Sequence, residues 1–109
     1  MNFKIEALPE FIRELKRLAK KYSSLKVEIQ SLVESLSKDP FQGTSLGGGT
    51  YKIRLSINSK GKGKSGGARI ITNVVVVNEI AYLLSIYDKS EKENLTDKEL
   101  KFLLKQIKK

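Results

Sequence analysis

Residues 69–77, which read RIITNVVVV, are the part of this chain that most limits its fold. They are mostly β-branched and apolar, which is typical of a strand that is largely covered on both faces. Residues 51–57 (YKIRLSI) alternate between apolar and polar side chains, and residues 80–87 follow a plausible tight turn at Asn78 and Glu79. Three consecutive strands with short connections predict an antiparallel meander.

Two amphipathic helices precede these strands. The first begins near Pro9, which suits a first helical turn, and carries apolar residues at three-to-four spacing up to Tyr22. The second starts with Ser23 or Ser24 as its cap and ends before Pro40. Since only a short turn separates the two, they predict a helical hairpin.

The remaining segments complete an α+β fold. Residues 2–7 alternate with period two and predict a short N-terminal strand, whereas the glycine-rich residues 42–50 predict a loop. A C-terminal helix is predicted with Thr96 or Asp97 as its cap. We therefore expect a single domain over residues 1–109, in which the strand and the helical hairpin pack on a small antiparallel sheet and the C-terminal helix follows.

Composition excludes several kinds of chemistry. The chain has no Cys and no His, so disulfides, zinc sites built on these residues and a His general base are all excluded. The net charge of +9 favours a polyanionic partner, either a nucleic acid or an acidic protein. We see no signal peptide and no apolar run of membrane-spanning length, and therefore expect a cytoplasmic protein that does not enter a membrane.

Residues 61–66 (GKGKSG) match the pattern G-x-G-x-x-G, which is found at dinucleotide-binding turns. That motif needs a following helix, whose N-terminus holds the pyrophosphate, but the residues after Gly66 are typical of a strand. A P-loop would need Gly where the chain has Asn58. The pattern therefore indicates a basic, glycine-rich hairpin loop rather than a nucleotide site.

Strand parity gathers basic side chains on one face of the sheet. Alternate residues share a face, so Lys52 and Arg54 lie together, about 6–7 Å apart. Arg69 begins the next strand and Lys89 follows the last one, so these groups converge if the strands pair in sequence; the alternative is an ordinary solvated face. We expect the opposite face of this strand to contact the helices through Tyr51, Ile53, Leu55 and Ile57.

The last strand follows the same period. We expect one of its faces to carry Ile80, Tyr82, Leu84 and Ile86, and the other to carry Ser85 and Tyr87.

Four pieces of the chain resemble the RelE/ParE superfamily of bacterial toxins, most closely its HigB-type branch. They are FIRELKRLAKKY, TYKIRLSI, GKSGGARII and YLLSIYDKSEKENLT, and their order and spacing extend the resemblance over nearly the whole chain. The resemblance implies a small antiparallel sheet with an N-terminal helical hairpin. It also implies the toxin of a type II toxin–antitoxin pair, which cuts mRNA in the ribosomal A site and is silenced by a cognate antitoxin.

The resemblance also implies the residues of the site. Lys52 and Arg54 correspond to the basic residues on the second strand of these toxins. Arg69 corresponds to the arginine that starts the next strand, and Lys89 corresponds to the basic residue after the final strand. Several relatives have Lys where this chain has Arg54, and some supply a Tyr or His near the C-terminus. The terminal helix here has neither, which leaves Tyr87 as the nearest phenol.

The implied reaction needs no metal and no cofactor. The RNA 2′-hydroxyl attacks the adjacent phosphate, Arg69 and Arg54 hold that phosphate, and Lys52 is the candidate general base. Tyr87 donates a hydrogen bond or stacks on a base. Lys60, Lys62, Lys64 and Lys89 are expected to bind the RNA backbone.

Two other functions stay open at this point. The first is a non-catalytic toxin that binds DNA gyrase, as in the ParE branch, and the second is a degenerate toxin fold that only binds a partner. The terminal helix is open to two interpretations as well. Its apolar stripe, which contains Leu100, Leu103, Leu104 and Ile107, packs in the core or forms part of the antitoxin groove.

Overall fold

The structure of the chain, a computed structural model, describes residues 2–60 and 66–107. Within these residues, three helices and five strands form the expected α+β fold. In chain order they are β1 (Lys4–Ala7), α1 (Pro9–Lys21), α2 (Leu25–Lys38), β2 (Thr44–Gly47), β3 (Thr50–Leu55), β4 (Ala68–Val75), β5 (Ile80–Asp88) and α3 (Asp97–Leu104).

The five strands form one mixed sheet in the order β1-β5-β4-β3-β2. The predicted meander of β3, β4 and β5 is confirmed, because both pairs are antiparallel. β1 joins the sheet at its edge and runs parallel to β5, so the sheet is not wholly antiparallel.

The loop predicted for residues 42–50 is wrong in part, since Thr44–Gly47 form the edge strand β2, antiparallel to β3. All four residues of β2 are exposed, so an apolar pattern is absent and backbone pairing defines the strand. The glycines that suggested a loop make the turn after it. Gly49 has a φ of 81°, and a Cβ there would lie 2.9 Å from the Val74 carbonyl oxygen.

The sheet is covered on both faces. The hairpin face, as we call it, packs on α1 and α2 around Phe11, Leu18 and Ile70. Ile53, Leu55 and Ile57 point to this face as predicted. The other face, the α3 face, packs on α3 through Leu84, Tyr82, Ile71, Leu103 and Ile107. Core packing of the terminal helix is therefore confirmed.

The N-terminus of α3 has the predicted cap. The Thr96 hydroxyl accepts a hydrogen bond from the Glu99 amide, and the Glu99 side chain completes a capping box.

A β-bulge changes the face of the last residues of β5. Ile71 pairs with Ser85 and Thr72 pairs with Leu83, which leaves Leu84 as the extra residue. The prediction that Ile86 shares a face with Leu84 is therefore wrong. Ile86 lies in the core of the hairpin face, whereas Leu84 packs toward α3.

The strand predicted for residues 69–77 ends two residues early. Val76 and Val77 leave the sheet in a short 3-10 turn, and Val77 is 94% exposed. Glu79 completes the tight turn with a φ of 54°. No helix in the described part of the chain is both long enough and apolar enough to cross a membrane.

Candidate functional site

Three predicted site residues lie in one row across the sheet. Arg54 on β3 is directly opposite Arg69 on β4, and Arg69 is directly opposite Tyr87 on β5. Directly opposed side chains lie on the same face, with Cβ atoms roughly 5 Å apart. Lys52 starts the neighbouring row, opposite Ile71. Strand pairing thus brings together four of the predicted residues on the α3 face. Strand parity indicated this for Lys52 and Arg54. The prediction that Tyr87 lies on the face opposite Tyr82 and Leu84 is wrong, because the bulge places all three on the α3 face.

This row, which we call the basic row (Arg54, Arg69 and Tyr87), is only partly open to solvent. Arg54 is exposed, but Arg69 is 4% exposed and Tyr87 is 5% exposed. The Arg69 guanidinium donates a hydrogen bond to the Ala68 carbonyl at 3.3 Å. Strand parity placed Lys52 and Arg54 on the face opposite the helical hairpin, and it did not predict how deeply Arg69 and Tyr87 are buried there. This burial arises because residues 89–96 and α3 pack over this side of the sheet.

Lys52 lies at the side of the basic row. Its Nζ donates a hydrogen bond to Asn94 Oδ1 at 3.3 Å, which joins β3 to residues 89–96. A groove of about 330 Å³ runs between Lys52 and Tyr87, and Asn94 and Leu95 form one of its walls. In the part of the chain that the structure describes, neither Lys52 nor Arg54 forms an ion pair with a carboxylate. Their charge is therefore available to an anion.

The Tyr87 hydroxyl is buried and donates no hydrogen bond within the described residues, while the Leu95 backbone amide lies near enough to act as a donor to it. Burial raises its pKa above the ordinary value of 10.0, and the positive charge of Arg69 and the backbone of Leu95 offset part of that rise. The phenol is thus protonated at neutral pH. A buried hydroxyl that donates to no partner costs stability, and a ligand at this end of the sheet would relieve that cost for Tyr87. The Thr72 hydroxyl is the other such group in the described residues.

The other predicted RNA contacts do not all join this row. Lys89 lies half-buried beside the start of β4, where its backbone amide donates to the Gly67 carbonyl at 3.0 Å and its Nζ donates to the Glu93 carbonyl at 3.1 Å. Lys60 lies on the other side of the sheet, the hairpin face, where its Nζ forms an ion pair with Asp88. Lys62 and Lys64 fall outside the described residues.

Sequence reasoning missed a second polar group at the same end of β5. The Asp88 cluster consists of Asp88, Tyr22, Lys60 and Ser90. The Asp88 carboxylate accepts hydrogen bonds from the Tyr22 hydroxyl at 2.5 Å, from the Ser90 hydroxyl at 2.7 Å and amide at 2.9 Å, and from Lys60 Nζ. The one available signal was an acidic residue at the end of an apolar strand.

The electrostatics of the Asp88 cluster differ from those of the basic row. Burial by itself would raise the pKa of Asp88, but hydrogen bonds from Lys60, Tyr22 and Ser90 together hold it well below its ordinary value of 3.8. Lys60 and Lys21 also lie over the Tyr22 ring, at 5.4 Å and 5.3 Å from its centroid. Within residues 2–60 and 66–107, no three Asp or Glu side chains come together in a way that could hold a metal ion.

Comparisons with known proteins agree with this architecture. The family model described as the RelE toxin of the RelE/RelB toxin–antitoxin system matches residues 11–109. Among solved structures, a free-state double mutant of the E. coli toxin RelE aligns with a TM-score of 0.66 at 14% sequence identity, over 99% of this chain and 100% of that one.

Two further E. coli structures align similarly. The isolated RelE toxin has a TM-score of 0.62 at 12% identity and covers 96% of this chain and 99% of its own. A chain of the intact RelBE toxin–antitoxin complex has a TM-score of 0.60 at 13% identity, over 79% of this chain and 95% of that chain. At these identities, the structural matches establish the fold.

Proposed function

The chain belongs to the RelE family of toxins from toxin–antitoxin systems, and on that premise we propose that it is a ribosome-dependent, metal-independent endoribonuclease that cuts mRNA during translation. The observation that carries this proposal is the basic row. Two guanidinium groups and a protonated phenol lie side by side on neighbouring strands, with Lys52 in the next row. Such a set fits a phosphodiester better than a neutral ligand.

In the proposed reaction, the RNA supplies its own nucleophile, the 2′-hydroxyl next to the scissile phosphate. The protein has to hold the backbone in line and offset the charge that develops on the phosphorane-like transition state. Arg54 is exposed and meets the phosphate first, and Arg69 stabilises it from deeper in the sheet. Arg is suited to this role because its planar fork matches two phosphate oxygens.

Two side chains are candidates for the proton transfers. Lys52 borders the groove and is the proposed general base at the 2′-hydroxyl, while Tyr87 is the proposed donor toward the leaving 5′-oxygen. Its raised pKa keeps the phenol protonated at neutral pH, as a donor requires. The hydrogen bond that Tyr87 lacks in the free protein would then form with the substrate.

The partners follow from the same premise. We propose that a cognate antitoxin silences this toxin and that mRNA on the ribosome is its substrate, which places it in the cytoplasm. The net charge of +9 suits both RNA and an acidic antitoxin segment. Within the family, we assign the chain to the HigB-type branch because of the four sequence pieces that resemble it. No resident cofactor enters the reaction.

The test compares Arg54→Ala with Lys26→Ala. Both side chains are exposed, but Lys26 lies on α2, on the opposite side of the sheet. After induction in cells, the 5′ ends of all transcripts are mapped. We expect codon-phased cuts in translated messages with the wild type and Lys26→Ala, and far fewer with Arg54→Ala.

Two outcomes would contradict the proposal. DNA-damage signalling without new 5′ ends would indicate a gyrase-binding toxin instead. Normal growth with no cuts under wild-type induction would indicate a degenerate toxin fold.

A further inference from the structure

Asp88 is fully buried, and it is the only carboxylate with that environment in the described part of the chain. Its two oxygens accept hydrogen bonds from Tyr22, which directly follows α1, from Lys60 in a short 3-10 turn at Asn58–Lys60, and from Ser90 in the turn after β5. Lys21 Nζ also lies 3.9 Å from the same carboxylate. Buried ion pairs of this kind often stabilise a fold no better than apolar residues of similar size. The cluster therefore has a use beyond stability.

The position of Asp88 in β5 suggests that use. It lies between Tyr87 and Lys89, which are two of the proposed site residues, and it points to the opposite face of the sheet. Asp88 is directly opposite Ala68, the residue before Arg69 on β4. The backbone of Asp88 is therefore continuous with that of Tyr87, and it pairs with the residue directly before Arg69.

The cluster also holds the segments that border the site. The ion pair with Asp88 fixes Lys60, which follows β3, and the Lys89 amide donates to the Gly67 carbonyl directly before β4. The Asp88 carbonyl accepts the amides of Glu91 and Lys92, each at 3.0 Å, and so starts the turn that leads to residues 89–96.

We propose that Asp88 is a positioning residue for RNA cleavage: through Lys60, Tyr22 and Ser90 it fixes the end of β5, so that Tyr87 and Arg69 stay in register with each other in the basic row. This inference rests on the proposed nuclease function. Asp88 itself does not contact the substrate, because it lies on the hairpin face. Its effect is on the alignment of reacting groups, to which reaction rates are very sensitive.

The test uses the double variant Lys60→Gln/Asp88→Asn. This pair keeps side chains of similar size that still form hydrogen bonds, and it leaves no unpaired charge in the core. Single-turnover cleavage of a defined message on purified ribosomes gives the maximal rate and the half-saturating ribosome concentration, and urea unfolding gives stability. We expect the maximal rate to fall by on the order of 10²-fold, with half-saturation changed less than threefold and the double variant still folded.

Asn73→Ala is the matched control. Asn73 is another buried polar residue of β4, and it donates hydrogen bonds to Thr50 Oγ1 at 3.0 Å and to the Gly48 carbonyl at 3.2 Å, far from the basic row. We expect this variant to lose stability but to cleave at the wild-type rate while folded. A double variant that cleaves as fast as the wild type would overturn the positioning role alone. A wild-type protein that cuts nothing on ribosomes would overturn the proposed function, and this inference with it.

Discussion

Tyr87 and Asp88 are neighbours on one strand, yet the polar groups around them are arranged in opposite ways. On the hairpin face, Asp88 accepts hydrogen bonds from Tyr22, Lys60 and Ser90, and its negative charge is paired with the Lys60 ammonium. On the α3 face, two guanidinium groups lie opposite each other on neighbouring strands, and the Tyr87 phenol donates no hydrogen bond to any of the residues that the structure describes.

The difference separates a structural cluster from a candidate site. Like charges placed directly opposite each other reduce stability, and an anionic ligand beside them would offset that cost. The Asp88 cluster already has its compensation within the protein. Stability should therefore report mainly on the Asp88 cluster. Cleavage should report directly on the basic row, and on the Asp88 cluster only through the alignment of Tyr87 and Arg69.

The largest expected effect is on stability, from Asp88→Asn alone. This change leaves the Lys60 charge buried without a counter-ion, and removing one partner of a buried pair costs about 3–5 kcal/mol. Urea unfolding at neutral pH measures it. The exposed ion pair of Lys4 and Glu6 is the control, and Lys4→Gln should cost less than about 1 kcal/mol. If Asp88→Asn lost no more stability than this control, the Asp88 cluster would not be a buried network.

The same variant predicts a pH dependence. The pKa of Asp88 is lower in the folded protein than its ordinary value of 3.8, so its contribution to stability is complete above that value and is lost as the pH falls toward the folded pKa. Wild-type stability should therefore decrease as the pH drops below about 4. Asp88→Asn should flatten this decrease, and an identical slope in both proteins would contradict the assignment.

The next effect is on cleavage, from Arg69→Ala. Loss of one preorganised charge at such a site lowers the rate by on the order of 10²–10³-fold. Arg69→Lys keeps a charge without the planar fork, and it should recover only part of the rate. Ribosome assays measure both, and urea unfolding identifies any loss of folded protein. If Arg69→Ala in folded form cleaves like the wild type, the basic row is not the site.

Arg13→Ala provides the control for Arg69→Ala. Arg13 lies on the exposed side of α1, where it pairs with Glu10 one turn earlier. Its removal lowers the net charge by the same amount as the loss of Arg69. We expect full cleavage activity at low salt, so that the effect of Arg69→Ala is a property of its position rather than of total charge.

Much of the fold and part of the site could be predicted from local pattern. The period of the apolar residues predicted both helices of the hairpin and the three strands of the meander, and strand parity placed Lys52 and Arg54 on one face. The burial of Arg69 could not be predicted, because it depends on how residues 89–96 and α3 fold back over the sheet. The Asp88 cluster was missed for a similar reason: Tyr22 and Lys60 come from segments that are far away along the chain.

Two errors have a backbone origin. β2 has no apolar pattern, because all its residues are exposed and only pairing with β3 makes it a strand. The bulge at Leu84 inserts one residue into β5 and reverses the faces of the residues that follow. Alternation alone would have placed Ile86 toward α3. A bulge has no fixed sequence signature, so period-two patterns cannot reveal it.

A smaller effect comes from removing the same hydroxyl on each face. Tyr22→Phe deletes a donor to a charged carboxylate and should cost about 1.5–3 kcal/mol of stability. Tyr87→Phe deletes a donor without a partner, so stability should rise by about 1 kcal/mol while cleavage falls on the order of 10²-fold. Urea unfolding and ribosome assays on both variants measure these changes. Equal destabilisation by the two substitutions would remove the distinction between the faces.

The smallest expected effect tests whether added stability by itself lowers activity. Glu79 adopts a left-handed conformation with a φ of 54°, at the end of the β4–β5 hairpin away from both polar groups. Its backbone contacts, to Val76 and Lys4, need no side chain. Glu79→Gly should therefore raise the unfolding free energy by about 0.5 kcal/mol, after the entropic cost of glycine in the unfolded chain. Cleavage should stay at the wild-type rate. If Glu79→Gly slows cleavage as much as Tyr87→Phe does, the gain in stability that the two variants share, and not the loss of the Tyr87 hydroxyl, would explain the slower cleavage of both.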